Sequence, residues 1–201
     1  MSLMLTDRIK PQVTKIITPL AKSFLKIGLT PDSITWIGTG LVLFGSFAFI
    51  ANGSYFSGVL IVAIATLGDL FDGTMARLSN QGESKWGSFL DSTLDRISDS
   101  AILVALSLHL GKASDPLTIA VLILIPLGFL IPYIRAKAES LNIECRGGIA
   151  ERTERLIILL LGLFLSSLGL KYSLDTAIWL LVILSVITVY QRFSLVWRAT
   201  R

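Results

Sequence analysis

The sequence predicts an all-α membrane protein. Six transmembrane helices follow an amphipathic helix that lies on the membrane surface, and both termini are cytoplasmic. Three observations carry that prediction. The 201 residues are 53% hydrophobic and only 16% charged, with a mean hydropathy of +0.72, whereas a soluble domain has about 25% charged residues. Six apolar runs approach the ~20 residues that a spanning helix needs. The basic residues also segregate by side: with the N-terminus inside, 16 Lys and Arg fall in cytoplasmic segments, and only Lys112 and Lys171 fall opposite.

Two regions are expected: a juxtamembrane helix over 1–29 and a six-helix membrane domain over 30–201. In the first, lysines at 10, 15, 22 and 26 alternate with apolar residues at 9, 13, 16, 17, 20, 24 and 27, close to helical period. An early Asp7 and Pro11 and the lack of a compact apolar core argue against a cleavable signal peptide. "LTPDSIT" opens the first span, with Thr30 as N-cap and Pro31 at the first helical position. The expected spans are 33–52, 56–78, 88–110, 116–138, 154–170 and 174–197, the fifth being short and starting among charges. There is no internal repeat, low-complexity tract or long linker. The lone Cys145 allows no intrachain disulfide, which fits a reduced compartment. The single His109, at the end of an apolar run, reads as an interfacial structural residue.

Charge concentrates in "DLFDGTMARLSNQGESKWGSFLDSTLD", at one cytoplasmic turn between the second and third spans. Asp69, Asp72, Gly73, Ala76 and Arg77 fall within an arc of about 140° at 100° per residue. Gly87, Asp91 and Asp95 form a second stripe. In an antiparallel hairpin the two stripes can face each other. Carboxylates gathered at membrane depth need positive charge, and hard divalent cations with oxygen ligands supply it. Two such ions sharing carboxylates form a clamp for phosphoryl chemistry. Small residues at 73, 76 and 87 admit a bulky ligand, and Arg77 offers a fork for phosphate oxygens. The same spacing also suits helix-end carboxylates solvated at the interface and paired with Arg77 and Arg96.

The whole pattern reads D-x2-D-G-x2-A-R-x9-G-x3-D-x3-D, from Asp69 to Asp95. It resembles the signature of the CDP-alcohol phosphatidyltransferase family, with no departure at its fixed positions. The six-helix layout, the surface helix and the "TPD" before the first span are similar to the family as well. The resemblance implies transfer of a phosphatidyl group from a CDP-linked donor to an alcohol, with release of CMP. It implies that Asp69, Asp72, Asp91 and Asp95 hold Mg²⁺ or Mn²⁺, two ions in all. Asp95 would also be the general base for the acceptor hydroxyl. Gly73, Ala76 and Arg77 would receive the CDP moiety, with Arg77 on its diphosphate. Direct attack on the lipid-bearing phosphorus is expected. A covalent phosphatidyl-enzyme lacks an obvious nucleophile, although an aspartate could serve.

A second, basic group lies elsewhere on the cytoplasmic side: Arg135 and Lys137 in "IRAKAES", Arg152 and Arg155 in "GGIAERTERLI", and Arg192 within the last span. The plain reading is the positive-inside rule plus pairing with Glu139, Glu151 and Glu154. Arg192 is costly there unless it snorkels or meets an anion. An anionic acceptor would account for several cations. Within the family, "RAKAE", the glycine-containing loop, "ERTERLII" and "VITVYQR" look like the actinobacterial phosphatidylinositol-phosphate synthases. These enzymes take inositol 1-phosphate (1D-myo-inositol 3-phosphate) from the cytoplasm and CDP-diacylglycerol from the bilayer. Their "IERPERLI" has proline where this chain has Thr153, a change that removes no charge. By this resemblance Lys137, Arg155 and Arg192 grip the acceptor phosphate, with Arg152 and Arg135 as further candidates; Arg152 could equally pair with Glu151 or Glu154 and shape the loop.

A phosphatidylglycerophosphate synthase acting on glycerol 3-phosphate is the nearest rival. A transport protein with a cation pathway is a rival of another class; it predicts carboxylates strung across several spans. The resemblance further implies a homodimer in the plasma membrane of a bacterium, in contact with membrane lipids, multi-pass and with its active site facing the cytoplasm. Nucleic acid is not an expected partner.

Overall fold

The structure is a computed structural model that describes residues 18–78, 84–111, 115–145 and 147–201, without the side chains of 69, 70, 72, 73, 76 and 77. Among the described residues the chain is all helical. A helix over 18–26 (α1) precedes α2 (Pro31–Ala48) and a single 3₁₀ turn, Ile50–Asn52. Then come α3 (Tyr55–Leu78), α4 (Lys85–Leu110), α5 (Pro116–Ser140), α6 (Arg152–Ser167) and α7 (Ser173–Ala199). Helices α2 to α7 fall on the six apolar runs. Residues 1–17, including most of the expected surface helix with Arg8, Lys10 and Lys15, lie outside the described residues, as do Lys112 and Arg146.

Helix starts follow side-chain chemistry. Thr30 caps α2: the Ser33 N–H donates to Thr30 Oγ1 at 3.2 Å, with Pro31 at the first helical position. Ser84 caps α4 by accepting from the Gly87 N–H at 2.8 Å. Asp115 caps α5 by accepting from the Leu117 N–H at 3.2 Å, again with proline next. Helix α6 ends at a glycine in the left-handed region: Gly169 has φ of 83°, and Leu170 N–H closes back on Leu165 O at 3.1 Å.

The chain forms two compact units. The first holds residues up to Val42 and Ile61–Ile97. In it, Ala21 of α1 and Met75 of α3 are fully buried, and Phe24, Leu25, Ile34 and Phe71 pack around them. The inward side of α1 is therefore centred on Ala21, Phe24 and Leu25, while Leu20 and Ile27 of the expected stripe are 50% and 72% exposed. A helix at a bilayer has two apolar neighbours, protein and lipid, so one stripe cannot specify which it meets.

The second unit holds Leu43–Leu60 and Ser98–Arg201. Here α7 packs on both α5 and α6. Ile134, Ala138 and Cys145 are buried, with Leu130, Val189 and Val196 against them. The α6–α7 approach is close: a Cβ at Gly162 would lie 2.4 Å from the Ala177 Cβ. His109 sits at the end of α4 with its ring edge-on to Tyr55 at 5.3 Å, against Gly53, as a structural residue would.

Among the described residues, three stretches are long and apolar enough to cross a membrane: Pro31–Asn52, Pro116–Ser140 and Ser173–Ala199. Helix α3 is apolar over Tyr55–Gly68. Helix α4 is long enough, but Asp91, Asp95, Arg96 and Asp99 lie along its N-terminal part and middle, and α6 has only 16 residues. Large apolar side chains face outward along α5 and α7, among them Leu122, Phe129, Ile183 and Phe193. Such a surface would drive association in water and suits a protein solvated by lipid.

Candidate active site

In the first unit, the last turns of α3 carry Asp69, Asp72, Gly73, Ala76 and Arg77, all within regular helix. Successive turns of one helix therefore present both aspartates, as their three-residue spacing requires. The side chains of these five residues are outside the description. The Ser84 cap starts α4 so that Gly87 is its third residue. A Cβ there would come 3.1 Å from Ser84 Oγ and 3.5 Å from Asp32 Oδ1, so the cap and Asp32 crowd the glycine.

Asp91 and Asp95 follow one turn apart. Both are half-buried, and the neighbouring Leu90 and Leu94 are buried. Asp95 is 15% exposed and lies 3.6 Å from the Arg96 guanidinium, which donates to Ser92 O at 2.6 Å. Among the described residues no three metal-ligating side chains converge. Asp69 and Asp72, half of the expected ligand set, are not among those side chains. The donor set itself fits a hard divalent ion: carboxylate oxygens, half-buried, on consecutive turns of a helix.

The second unit carries the cations. Arg135 and Lys137 lie on the last turns of α5, both exposed. Arg135 Nε donates to Glu139 Oε1 at 2.9 Å, the i,i+4 pairing of the plain reading. Arg152 opens α6, and Arg155 follows within its first turn. Thr153 leaves that helix start in place. Positive charge at a helix N-terminus runs against the helix dipole and calls for an anion. Asp99 of α4 supplies one: Arg152 Nε donates to Asp99 Oδ1 at 3.3 Å, and Arg155 Nη2 lies 3.7 Å from Asp99 Oδ2. Arg155 Nη1 also donates to Ala150 O at 3.1 Å. Sequence reasoning passed over Asp99, although a signal for it exists: it extends the four-residue spacing of Asp91 and Asp95 by one more step.

Arg192 resolves its cost in a way the sequence did not indicate. It is 4% exposed, and its guanidinium donates to two main-chain carbonyls, Gly147 O at 3.0 Å and Ile131 O at 2.6 Å. Charge-assisted bonds to carbonyls satisfy a buried guanidinium as an anion would. Neighbours on α7 fix the same loop: Thr188 Oγ1 accepts from the Ala150 N–H at 3.1 Å, and Gln191 Oε1 accepts from the Ile149 N–H at 3.3 Å. Gly148, with φ of 139°, lies so close that a Cβ would meet Thr188 Cγ2 at 2.5 Å. Thr188, Gln191 and Arg192 thus pin the segment that leads into Arg152 and Arg155.

Carboxylates in the described parts of α5, α6 and α7 sit at helix ends: Glu139, Glu154 and Asp175. That is not the string across spans that a cation pathway needs.

Comparison with known proteins agrees with this arrangement. The sequence model of the CDP-alcohol phosphatidyltransferase family matches residues 28–191. The phosphatidylinositol phosphate synthase of Mycobacterium tuberculosis is 39% identical over 188 residues, 91% of this chain and 86% of that protein. Its counterpart in Corynebacterium glutamicum is 34% identical over 180 residues, 88% of this chain and 82% of that protein. The crystal structure of the M. tuberculosis enzyme with CDP-DAG bound superposes with a TM-score of 0.86 at 39% identity, covering 91% of this chain and 94% of that one. Its complex with manganese and citrate gives a TM-score of 0.85 at 39% identity, over 90% and 88%. With its signature spanning Asp69 to Asp95 and a match over most of its length, the chain belongs to the CDP-alcohol phosphatidyltransferase family.

Proposed function

We propose that the protein is a phosphatidylinositol-phosphate synthase. It transfers a phosphatidyl group from CDP-diacylglycerol to inositol 1-phosphate and releases CMP. The observation that carries the acceptor is the pair Arg152 and Arg155, side by side at the start of α6. A cationic pair at a helix start suits a phosphorylated alcohol better than a neutral one. The likeness to synthases of that name, along nine-tenths of the chain, supports the same reading.

Asp69, Asp72, Asp91 and Asp95 hold two Mg²⁺ or Mn²⁺ ions, consistent with the manganese in the related crystal structure. The ions supply charge neutralisation at the diphosphate and stabilise the departing CMP phosphate. Gly73 and Ala76 leave room for the CDP moiety, and the Arg77 fork takes its diphosphate. Asp95 accepts the proton of the acceptor hydroxyl as that oxygen attacks the lipid-bearing phosphorus. Lys137, Arg152 and Arg155 hold the acceptor phosphate, with Arg135 at the margin. Arg192 contributes the N–H groups that its two carbonyls leave over.

In this reading all six helices from α2 to α7 span a bacterial plasma membrane. Residues 1–29 lie along its inner face and residues 30–201 form the membrane domain. Both termini and the active site face the cytoplasm, and the protein works as a homodimer.

The test is CMP release by the purified protein with Mg²⁺ and CDP-diacylglycerol, with inositol 1-phosphate, glycerol 3-phosphate or free inositol added in turn. Release with inositol 1-phosphate alone is expected. Release with glycerol 3-phosphate instead would give the protein to phosphatidylglycerophosphate synthesis, with family and mechanism unchanged.

A further inference from the structure

We infer that Asp99 is a positioning residue for the acceptor: its carboxylate sets the two α6 arginines in the geometry that receives the acceptor phosphate. The inference rests on the acceptor reading above. Asp99 touches Arg152 and Arg155 through different oxygens, at 3.3 Å to Arg152 Nε and 3.7 Å to Arg155 Nη2. The three side chains are 25%, 29% and 14% exposed, so the cluster is largely withdrawn from water.

Ion pairing alone does not account for such a cluster. A half-buried ion pair contributes little net stability, and an apolar replacement often does as well. Ionisable groups within a spanning helix are retained mainly where function needs them. Two arginines one turn apart also repel each other and oppose the helix dipole. One carboxylate against two guanidinium groups relieves that repulsion.

Asp99 also fixes direction. With Arg152 held at Nε and Arg155 held by both Asp99 and Ala150 O, the guanidinium planes cannot swing freely. Beside this cluster lies a cavity lined by Asp99 and Arg155 together with Ile102, Leu124, Leu159, Leu181 and the buried Ser185.

The test is steady-state kinetics on the full-length protein in detergent with Mg²⁺, for wild type, Asp99→Asn, Asp99→Glu, Arg155→Ala and the double variant Asp99→Asn with Arg155→Ala. Asp99→Asn keeps the shape of the side chain. It is expected to raise the KM for inositol 1-phosphate about tenfold, the scale of one charge-assisted hydrogen bond, with the KM for CDP-diacylglycerol changed less than about twofold. Asp99→Glu is expected to recover much of the loss. The double variant is expected to lose less than the two single losses combined, because Asp99 acts partly through Arg155 and partly through Arg152. A lower acceptor KM in Asp99→Asn would mean that the carboxylate competes with the phosphate, and it would overturn the inference. Equal rises in both KM values would do the same, by assigning Asp99 to general stability. If Asp99→Asn does not fold, Asp99→Glu decides: a residual rise shared equally by both KM values contradicts the inference. If Arg155→Ala leaves the acceptor KM unchanged, the acceptor site itself has been misassigned, a result distinct from failure of Asp99 alone.

Discussion

The ends of α3 and α4 and the ends of α5, α6 and α7 solve opposite electrostatic problems. The first region gathers four aspartates within 27 residues. In the proposed reading this concentration of like charge is completed by metal. The second region gathers cations over Arg135 to Arg192, and each described arginine already has a partner inside the protein. Arg135 has Glu139, Arg152 and Arg155 have Asp99, and Arg192 has two main-chain carbonyls. In the proposed reading the anionic site is left open for a mobile ion, whereas the arginines of the cationic site are held in place by fixed partners.

The largest effect should come from breaking the first region. Asp95→Asn is expected to lower turnover by at least about a hundredfold, the usual contribution of a general base, with thermal unfolding in detergent unchanged. Wild-type turnover in that variant would refute Asp95 as base. Chelation with EDTA should likewise abolish CMP release, and added Mg²⁺ or Mn²⁺ should restore it; activity that survives exhaustive chelation would remove the aspartates' proposed role.

Effects in the second region should be graded by how each cation is held. Arg192→Ala leaves two carbonyls without their donor, at about 1–3 kcal/mol each. Reduced thermal stability is expected, together with a KM that rises more for inositol 1-phosphate than for CDP-diacylglycerol. Equal effects on both would sink its acceptor role. Arg192→Lys should not rescue it, because one ammonium does not reproduce the two-pronged fork. Gly148→Ala forces a side chain into a left-handed backbone against Thr188. A loss of about 1–3 kcal/mol is expected, read as a lower unfolding temperature with the larger KM change again on the acceptor. The smallest effect should be that of Arg135→Ala, which breaks an exposed i,i+4 pair worth about 0.3–0.5 kcal/mol. Its acceptor KM should move less than threefold, and a tenfold rise would promote Arg135 to a principal phosphate ligand.

The same comparison explains how much could be read from the sequence. Helix extents were readable because apolar runs and caps are local: the Thr30 cap and the α5 start at Pro116 lie where the sequence puts them. The aspartate motif was readable for the same reason, since its spacing is the helical repeat. The partners of the cations were not. Arg192 bonds to Gly147 O and Ile131 O, 45 and 61 residues away, and main-chain carbonyls carry no residue code. Asp99 meets arginines 53 and 56 residues away; only its spacing after Asp95 hinted at it. The apolar stripe of α1 did not separate Ala21, Phe24 and Leu25, which pack inward, from the exposed Leu20 and Ile27, because an apolar side chain next to a bilayer does not say whether it faces lipid or protein.

The division of labour between the two regions is tested most directly by equilibrium binding of both substrates, with Mn²⁺ present, to wild type, Asp91→Asn and Arg155→Ala. The account predicts that Asp91→Asn loses CDP-diacylglycerol and Mn²⁺, while Arg155→Ala binds CDP-diacylglycerol as wild type does and loses inositol 1-phosphate. Loss of CDP-diacylglycerol in Arg155→Ala, with inositol 1-phosphate still bound, would contradict it.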